Sequence, residues 1–298
     1  MVWTFIKTTL LIGILTGILF ACAYLLGLSP IFALGFAGLM NLAIYWFSDS
    51  FVLRMGGARR VSEDEAPRVY AALRKLTQAS NTKMPKVALV NNPIPNAFAT
   101  GRSPNNATVA VHTGLLNIVN DEELEGVLAH ELTHVRNWDT LTTTLAATVA
   151  GAISYLAQWG LFFGGAYGYS GGSYGNRDRQ GNMIGLLLMM ILAPLAAMLV
   201  QLAVSRTREY SADEGGAKLA GRPQALASAL QKIELYAKHR QVQGNAKPNP
   251  ALTSLYIISP SRKSLVTELF STHPPTEKRI ARLERLAANM GYGPFYTQ

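Results

Sequence analysis

Apolar residues form four long stretches of the chain, and each is close to the length of about 20 residues that a helix needs to cross a bilayer. The stretches cover roughly residues 8–28, 30–47, 141–163 and 183–204. None has a charged side chain in its middle, and membrane helices tolerate a proline such as Pro194 in the fourth. The pattern predicts four transmembrane helices. The first is expected to be a retained anchor, because it is longer than the apolar core of a signal peptide.

Shorter patterns between these stretches are typical of a soluble α+β domain. Asn120 and Glu123 form a capping-box pattern for a helix that begins at Asp121. Amphipathic repeats predict three more helices, over residues 63–80, 223–239 and 275–290. Alternation predicts strands over 86–90 and 107–112, and turn-forming residues predict loops over 91–101 and 241–271.

The composition agrees with a membrane protein. Hydrophobic residues make up 49% of the 298 residues and charged residues only 15%, against about 25% charged residues in soluble domains. The net charge is +9, but the basic residues are scattered rather than clustered in a run. A cytosolic membrane face explains them better than nucleic acid, so no nucleic-acid partner is expected. The single cysteine, Cys22, excludes an intrachain disulfide and a cysteine metal site.

The distribution of arginine predicts the orientation in the membrane. Arginines follow the second and fourth apolar stretches, at Arg54, Arg59, Arg60, Arg206 and Arg208. The link between the first two stretches carries no charge, and the loop over 164–182 is rich in Gly, Ser and Tyr. The positive-inside rule therefore predicts a multi-pass protein of the cell (inner) membrane, with its soluble part and both termini in the cytosol.

The strongest chemical signal is His130-Glu131-Leu132-Thr133-His134, on the helix predicted to begin at Asp121. Residues four apart share one face of a helix, so both imidazoles can reach one metal ion. Glu131 would then lie beside that metal as a general base for the attacking water. The alternative to a metal site is a helix on which the two histidines simply face solvent.

A third ligand is available after the fourth apolar stretch. Glu209 and Asp213 are also four apart, so one can bind the metal while the other accepts the free ring N–H of a ligating histidine. The alternative is that Glu209 pairs with Arg206 or Lys218 on a solvated surface. Two predicted spans separate His134 from Glu209, which returns both to the same side of the membrane. We therefore expect them to meet there.

The donor set predicts the metal and the fold class. Two histidines and a carboxylate, without cysteine, suit one Zn²⁺ per chain. His273, in Thr-His-Pro-Pro, is a candidate donor to the oxyanion of the reaction, with a loop or cap role as its alternative. The chain is thus predicted to be a mainly α integral membrane protein, with four transmembrane helices and a cytosolic α+β zincin-like metalloprotease domain that contains a small sheet.

Three motifs together resemble a known family. The zinc-helix motif, Arg-Glu-Tyr-x-Ala-Asp and Thr-His-Pro-Pro, in this order and interleaved with four spans, are similar to the HtpX-type membrane proteases, relatives of the type I CAAX prenyl endopeptidases. The resemblance implies that His130, His134 and Glu209 bind zinc, that Glu131 is the catalytic base, and that Asp213 supports a ligand from behind.

The apolar stretches and the motifs between them also predict a division of the chain. Residues 1–48 would hold two transmembrane helices, and 49–140 the first part of the protease domain with the zinc helix. Residues 141–205 would form a transmembrane hairpin, and 206–298 the second part of the domain with the third ligand.

A further family segment lies beside the expected cleft, at Asn96, Ala97, Phe98 and Ala99, where an edge strand would pair with the substrate backbone. For Phe98 an ordinary core position is an equal alternative.

The resemblance implies cleavage of misfolded membrane and cytosolic proteins, a role in stress response, contact with membrane lipids and an ATP-dependent membrane protease as a partner. Two other functions stay open: cleavage of prenylated CAAX-type peptides, and a non-catalytic multi-span scaffold or transporter.

Overall fold

The computed structural model describes residues 2–25, 27, 29–150, 205–243, 255–257 and 274–292. Two predicted features lie largely or wholly outside the described residues. They are the 141–205 hairpin, of which 151–204 are not described, and His273. The helices are α1 (Val2–Leu25), α2 (Pro30–Met55), α3 (Pro67–Ser80), α4 (Thr113–Ile118), α5 (Asp121–Arg136), α6 (Arg206–Ala220), α7 (Pro223–Gln243) and α8 (Thr276–Asn289). The strands are β1 (Ala58–Arg60), β2 (Lys86–Val90), β3 (Ala97–Ser103) and β4 (Asn106–His112).

The first two helices pair along the part of the chain predicted to enter the membrane. Within the described residues, α2 is long and apolar enough to cross a bilayer, and α1 contains a shorter apolar segment, Thr8–Gly17. The Asn41 amide of α2 donates to the Thr16 hydroxyl of α1 over 2.8 Å. A helix over 139–150 packs beside this pair, since the Thr142 hydroxyl shares a hydrogen bond of 2.7 Å with the Thr8 hydroxyl of α1. One predicted span is therefore supported by length and composition, and four spans remain a prediction.

Four strands form one mixed sheet in the order β1-β2-β4-β3. β2 and β4 are parallel, while β1 and β3 pair with them antiparallel from the two edges. The prediction of a loop over 91–101 is therefore wrong for its second half, because β3 begins at Ala97. The first five residues of β3 are all buried, so the segment lacks the polar alternation by which a strand is recognised.

Helix boundaries follow local signals where those signals are strong. The capping box predicted at Asn120 is confirmed, with Asn120 Oδ1 accepting from the Glu123 backbone N–H over 2.8 Å. The start predicted at residue 63 is wrong, because Glu65 accepts a hydrogen bond from the Ser62 N–H in a turn and α3 begins at Pro67. Proline suits that first helical position because its missing N–H would have no partner there.

Helix α5 lies at the centre of the soluble domain and is buried along most of its length. It packs on α6, α7 and β3 and is joined to the main hydrophobic core by Leu124, Leu128 and Leu132. The contact with α6 is unusually close at Gly216, where an added Cβ would lie 2.6 Å from the His130 backbone nitrogen. This glycine allows the two helices to approach each other beside His130.

Gly216→Ala should therefore disturb the soluble domain although alanine is the better helix former. The added methyl group has to push α6 away from α5, and overpacking of this kind costs about 1–3 kcal/mol. We expect a lower thermal unfolding temperature and weaker metal binding than in Ser211→Ala, a change at an exposed position of the same helix. Equal unfolding temperatures for the two variants would contradict the close packing described here.

Candidate active site

Helices α5 and α6 bring two histidines and a glutamate to one point. The Nε2 atoms of His130 and His134 lie 3.2 Å apart. Glu209 Oε1 lies 3.4 Å from His134 Nε2, and Glu209 Oε2 lies 3.8 Å from His130 Nε2. A tetrahedral zinc ion with bonds of about 2.1 Å places its ligand atoms about 3.4 Å apart. The three side chains therefore have the spacing of a metal site, and they form such a cluster within the described part of the chain.

Glu131 lies next to this cluster and faces the sheet. Its Oε2 accepts a hydrogen bond of 3.0 Å from the Ala99 backbone N–H on β3. Burial raises the pKa of Glu131 to about 7, with the nearby Glu209 carboxylate acting in the same direction. A carboxylate that exchanges a proton near neutral pH is suited to general acid–base chemistry.

Behind His130 lies a buried ion pair. Asp213 Oδ1 is 3.0 Å from His130 Nδ1, although the ring N–H is not aligned well enough for a full hydrogen bond. The Arg279 guanidinium binds Asp213 with two hydrogen bonds, of 2.6 and 2.8 Å. Burial alone would raise the pKa of Asp213, but Arg279 outweighs it and lowers that pKa to about 2. Asp213 is therefore a fixed anion beside the imidazole.

His134 has a similar arrangement behind it. Its Nδ1 lies 3.1 Å from Asp139 Oδ2, and Arg208 Nη1 donates to Asp139 Oδ1 over 3.3 Å. Each histidine thus has a carboxylate at Nδ1, and each carboxylate is held by an arginine. A carboxylate in this position fixes the imidazole with Nε2 directed at the cluster, as in metal-ligating histidines.

The site as a whole attracts positive charge. Burial alone would lower the pKa of His134, but the carboxylates of Glu209 and Asp139 outweigh it and raise that pKa to about 10. The groups that favour a proton on His134 would equally favour a divalent cation. The residues present therefore fit a metal ion in both their spacing and their charge.

A small cavity of about 40 Å³ adjoins the cluster. The segment Leu255, Tyr256 and Ile257 forms part of its lining, and the Asn96 side chain holds this segment in place. The Asn96 amide donates to the Leu255 carbonyl over 3.4 Å, and its oxygen accepts from the Ile257 N–H over 2.9 Å. Arg279 also donates to the Ile257 carbonyl, over 2.8 Å. The lining of the cavity therefore includes Glu131, residues of β3 and this segment.

The structure locates nearly all of the residues expected at the site. His130, Glu131, His134, Glu209 and Asp213 come together, and Asn96, Ala97, Phe98 and Ala99 lie beside them on or before β3. Phe98 lines the cavity and belongs to a core cluster, so its core position is observed, while its role in substrate binding stays a prediction. His273 lies outside the described residues. Sequence analysis missed the roles of Asp139, Arg208 and Arg279 at the site. The position of Arg279 six residues after His273, in the stretch that contains Thr-His-Pro-Pro, was a signal available for Arg279.

Comparison with known proteins agrees with this geometry. The model of the family described as "Peptidase family M48" matches residues 63–287. The chain belongs to peptidase family M48. That range contains the cluster of His130, His134 and Glu209, together with Glu131, Asp213 and Arg279. The chain is accordingly a metalloprotease.

Relatives of similar length carry the same description. The chain is 50% identical over 291 residues to the "Protease HtpX homolog" of Pyrococcus abyssi. The aligned region covers 96% of this chain and 97% of the relative. The chain is 50% identical over 292 residues to that of Pyrococcus furiosus and 48% identical over 288 residues to that of Thermococcus kodakarensis, with the same coverage. The resemblance stated from the motifs is thereby confirmed.

A solved structure also shows similarity. It is described as "Crystal Structure of S. mikatae Ste24p", with a TM-score of 0.48 and 18% sequence identity. The match covers 91% of this chain and 62% of the longer one.

Arg279→Met should weaken metal binding although Arg279 is not close enough to be a ligand. The substitution leaves Asp213 as an unpaired buried charge, which costs about 3–5 kcal/mol of stability. Loss of such an outer partner also lowers metal affinity or activity by about 10–100-fold. The matched control is Arg282→Met, on an exposed position of the same helix. Metal affinity, measured by chelator competition on the folded fraction, should separate the two variants, and equal affinities would refute a role of Arg279 in positioning His130.

Proposed function

We propose that this chain is a membrane-embedded zinc endopeptidase that hydrolyses misfolded or damaged membrane and cytosolic proteins. The observation that carries the proposal is the spacing of His130, His134 and Glu209, with Glu131 beside them. Two imidazoles and one carboxylate leave a fourth position open, which is the donor set of a catalytic rather than a structural zinc site.

Zinc, when bound, supplies a Lewis acid that polarises the scissile carbonyl and activates the attacking water. Glu131 accepts the proton of that water and later passes it to the leaving amine. The carboxylates of Asp213 and Asp139 keep His130 and His134 oriented and balance the charge on them. We propose His273 as a donor to the developing oxyanion.

The outer edge of β3 is the proposed binding surface for the substrate backbone. β3 is the last strand of the sheet, and the Ala99 N–H points to Glu131 rather than to β4. Ala97 and Ala99 carry only methyl groups, and Phe98 packs in a core cluster, so recognition along this edge would rest mainly on backbone groups. Main-chain pairing gives affinity with little sequence preference, which suits a protease of misfolded proteins.

Anchoring in the cell (inner) membrane is proposed from α2 and the apolar stretches of the sequence. Large apolar side chains of α2, among them Ile31, Phe32 and Phe47, are exposed to the surroundings, as expected of a surface that faces lipid. The positive-inside pattern supports a multi-pass chain with the protease domain and both termini in the cytosol. The chain would then meet membrane lipids directly, and an ATP-dependent membrane protease is proposed as a partner in quality control.

The proposal is tested by casein cleavage with the full chain purified in detergent. Cleavage should stop when a chelator removes the metal and return when zinc is added back. His130→Ala should have no activity, whereas His239→Ala, an exposed histidine on α7, should behave as wild type. Cleavage of a prenylated peptide but not of casein or its unmodified counterpart would favour the CAAX-type alternative. Chelator-resistant cleavage by His130→Ala would exclude the metal site proposed here.

A further inference from the structure

A second cavity lies between α2 and one end of the sheet. Its volume is about 610 Å³, against about 40 Å³ for the cavity beside Glu131, and the two share no lining residue. One wall is the C-terminal half of the α2 span, and the other is formed by residues at the ends of the four strands. The two walls differ strongly in chemical character.

The α2 wall is apolar and open up to Phe47, and it ends in Asp49 and Ser50. Leu39, Leu42, Trp46 and Phe47 line it and are 66%, 54%, 49% and 69% exposed. These side chains continue the exposed apolar surface of the helix that is long enough to cross a bilayer. Such a surface is suited to acyl chains.

The sheet wall is basic. It carries Arg60 at the end of β1, Lys86 at the start of β2 and Arg102 near the end of β3. Strand register brings these positions to the same end of the sheet, since Arg60 pairs with Ala88 and Lys86 with Thr108. Three cations from three strands thus surround one opening.

One acidic residue faces these cations from the end of the α2 wall. Asp49 also lines the cavity, and its carboxylate is 3.6 Å from the Arg60 guanidinium. This pair is loose and Asp49 is half-buried, so Asp49 offsets only part of the positive charge. Three basic side chains and one acidic side chain leave the cavity net positive, with the positive charge on the sheet side.

Arg102 and Trp46 join the two walls. The Arg102 guanidinium carbon lies 4.0 Å from the centre of the Trp46 ring, which is a cation–π contact. Tryptophan in a membrane helix favours the level of the lipid headgroups. The stack therefore places the basic wall at headgroup depth and the apolar wall along the acyl chains.

We propose that this cavity binds an anionic phospholipid, with its phosphate on Lys86, Arg102 and Arg60 and its acyl chains along α2. Arginine and lysine are the usual partners of phosphate oxygens, and basic residues beside a span attract anionic lipid. The inference rests on the proposed membrane anchoring by α2 but not on the peptidase chemistry. Arg102 is three residues from Ala99 on β3, so a bound lipid would fix the height of the substrate-binding edge above the bilayer.

The test titrates the full chain in detergent with dioctanoyl phosphatidylglycerol and counts bound lipid by native mass spectrometry. Dioctanoyl phosphatidylcholine tests the need for a net negative headgroup, and glycerol 3-phosphate tests the need for acyl chains. The variant Lys86→Ala/Arg102→Ala removes two cations from the cavity. Lys218→Ala/Arg285→Ala removes two exposed cations elsewhere. Thermal unfolding and casein cleavage are measured on the same samples.

Wild type and the control variant should bind phosphatidylglycerol in preference to phosphatidylcholine, and the cavity variant should bind it about 30-fold more weakly, the effect expected from two basic contacts at a headgroup. Equal binding by both variants would overturn the inference, as would equal binding of the two lipids. Glycerol 3-phosphate binding as tightly as the lipid would reduce the cavity to an anion site. Intact casein cleavage alongside any of these failures would leave the proposed peptidase standing.

Discussion

Glu131→Gln is expected to lower kcat/KM for peptide cleavage by about 10²–10⁴-fold, the usual contribution of a positioned general base, while the metal stays bound. The amide keeps the shape of the side chain and can still accept a hydrogen bond from the Ala99 N–H. It cannot take up a proton at neutral pH. Because Glu131 is not one of the three clustered ligand candidates, its replacement should leave metal affinity nearly unchanged. A quenched fluorescent peptide and chelator competition measure the two quantities.

The matched control is Glu122→Gln on the same helix. Its carboxylate is 61% exposed and pairs with Arg222 at the surface, so its replacement should change neither quantity by much. If Glu131→Gln kept the activity of this control, another group would have to move the proton. If it lost the metal together with the activity, Glu131 would belong to the ligand set.

Glu209→Ala should instead remove the metal itself. Glu209 is the one carboxylate of the cluster, and its two oxygens lie 3.4 and 3.8 Å from the histidine nitrogens. We expect a loss of metal affinity greater than the roughly 10–100-fold that follows from removing an outer partner. Peptide cleavage should fall to background as a consequence.

Metal content after dialysis against a weak chelator, together with peptide cleavage, measures this effect. Glu214→Ala is the control, because Glu214 lies on the same helix and pairs with Lys218 on the exposed side. Glu209→Ala with full metal content would assign the third position to another group. A metal loss shared by the control would point to damage to α6 rather than to the loss of a ligand.

The sequence predicted those features whose physical cause is local. The helix that begins at Asp121 carries its own start signal in Asn120 and Glu123, and its histidines meet because residues four apart share a face. The amphipathic pattern of 275–290 likewise predicted α8 to within one residue at each end. The cluster with Glu209 required one more step, because only the even number of predicted spans indicated that both parts lie on one side of the membrane.

Features that arise from tertiary packing were not predictable in the same way. β3 is buried on both faces and therefore has no alternating pattern. Asp139 and Arg279 are 69 and 66 residues from their respective partners Arg208 and Asp213, and no spacing rule connects such pairs. Both ion pairs depend on how α6 and α8 pack around α5. The spacing of Asp213 from Glu209 predicted a carboxylate at a ligating histidine, whereas the role of Asp139 and the arginine partners follow only from this packing.

The metal content of the chain tests the central claim most directly. Elemental analysis and casein cleavage should be carried out on one detergent-purified sample of wild type and one of Glu131→Gln. We predict about one zinc ion per chain in both samples, with cleavage in wild type alone. Zinc in neither sample, even after incubation with zinc, would contradict the site formed by His130, His134 and Glu209 and with it the proposed endopeptidase.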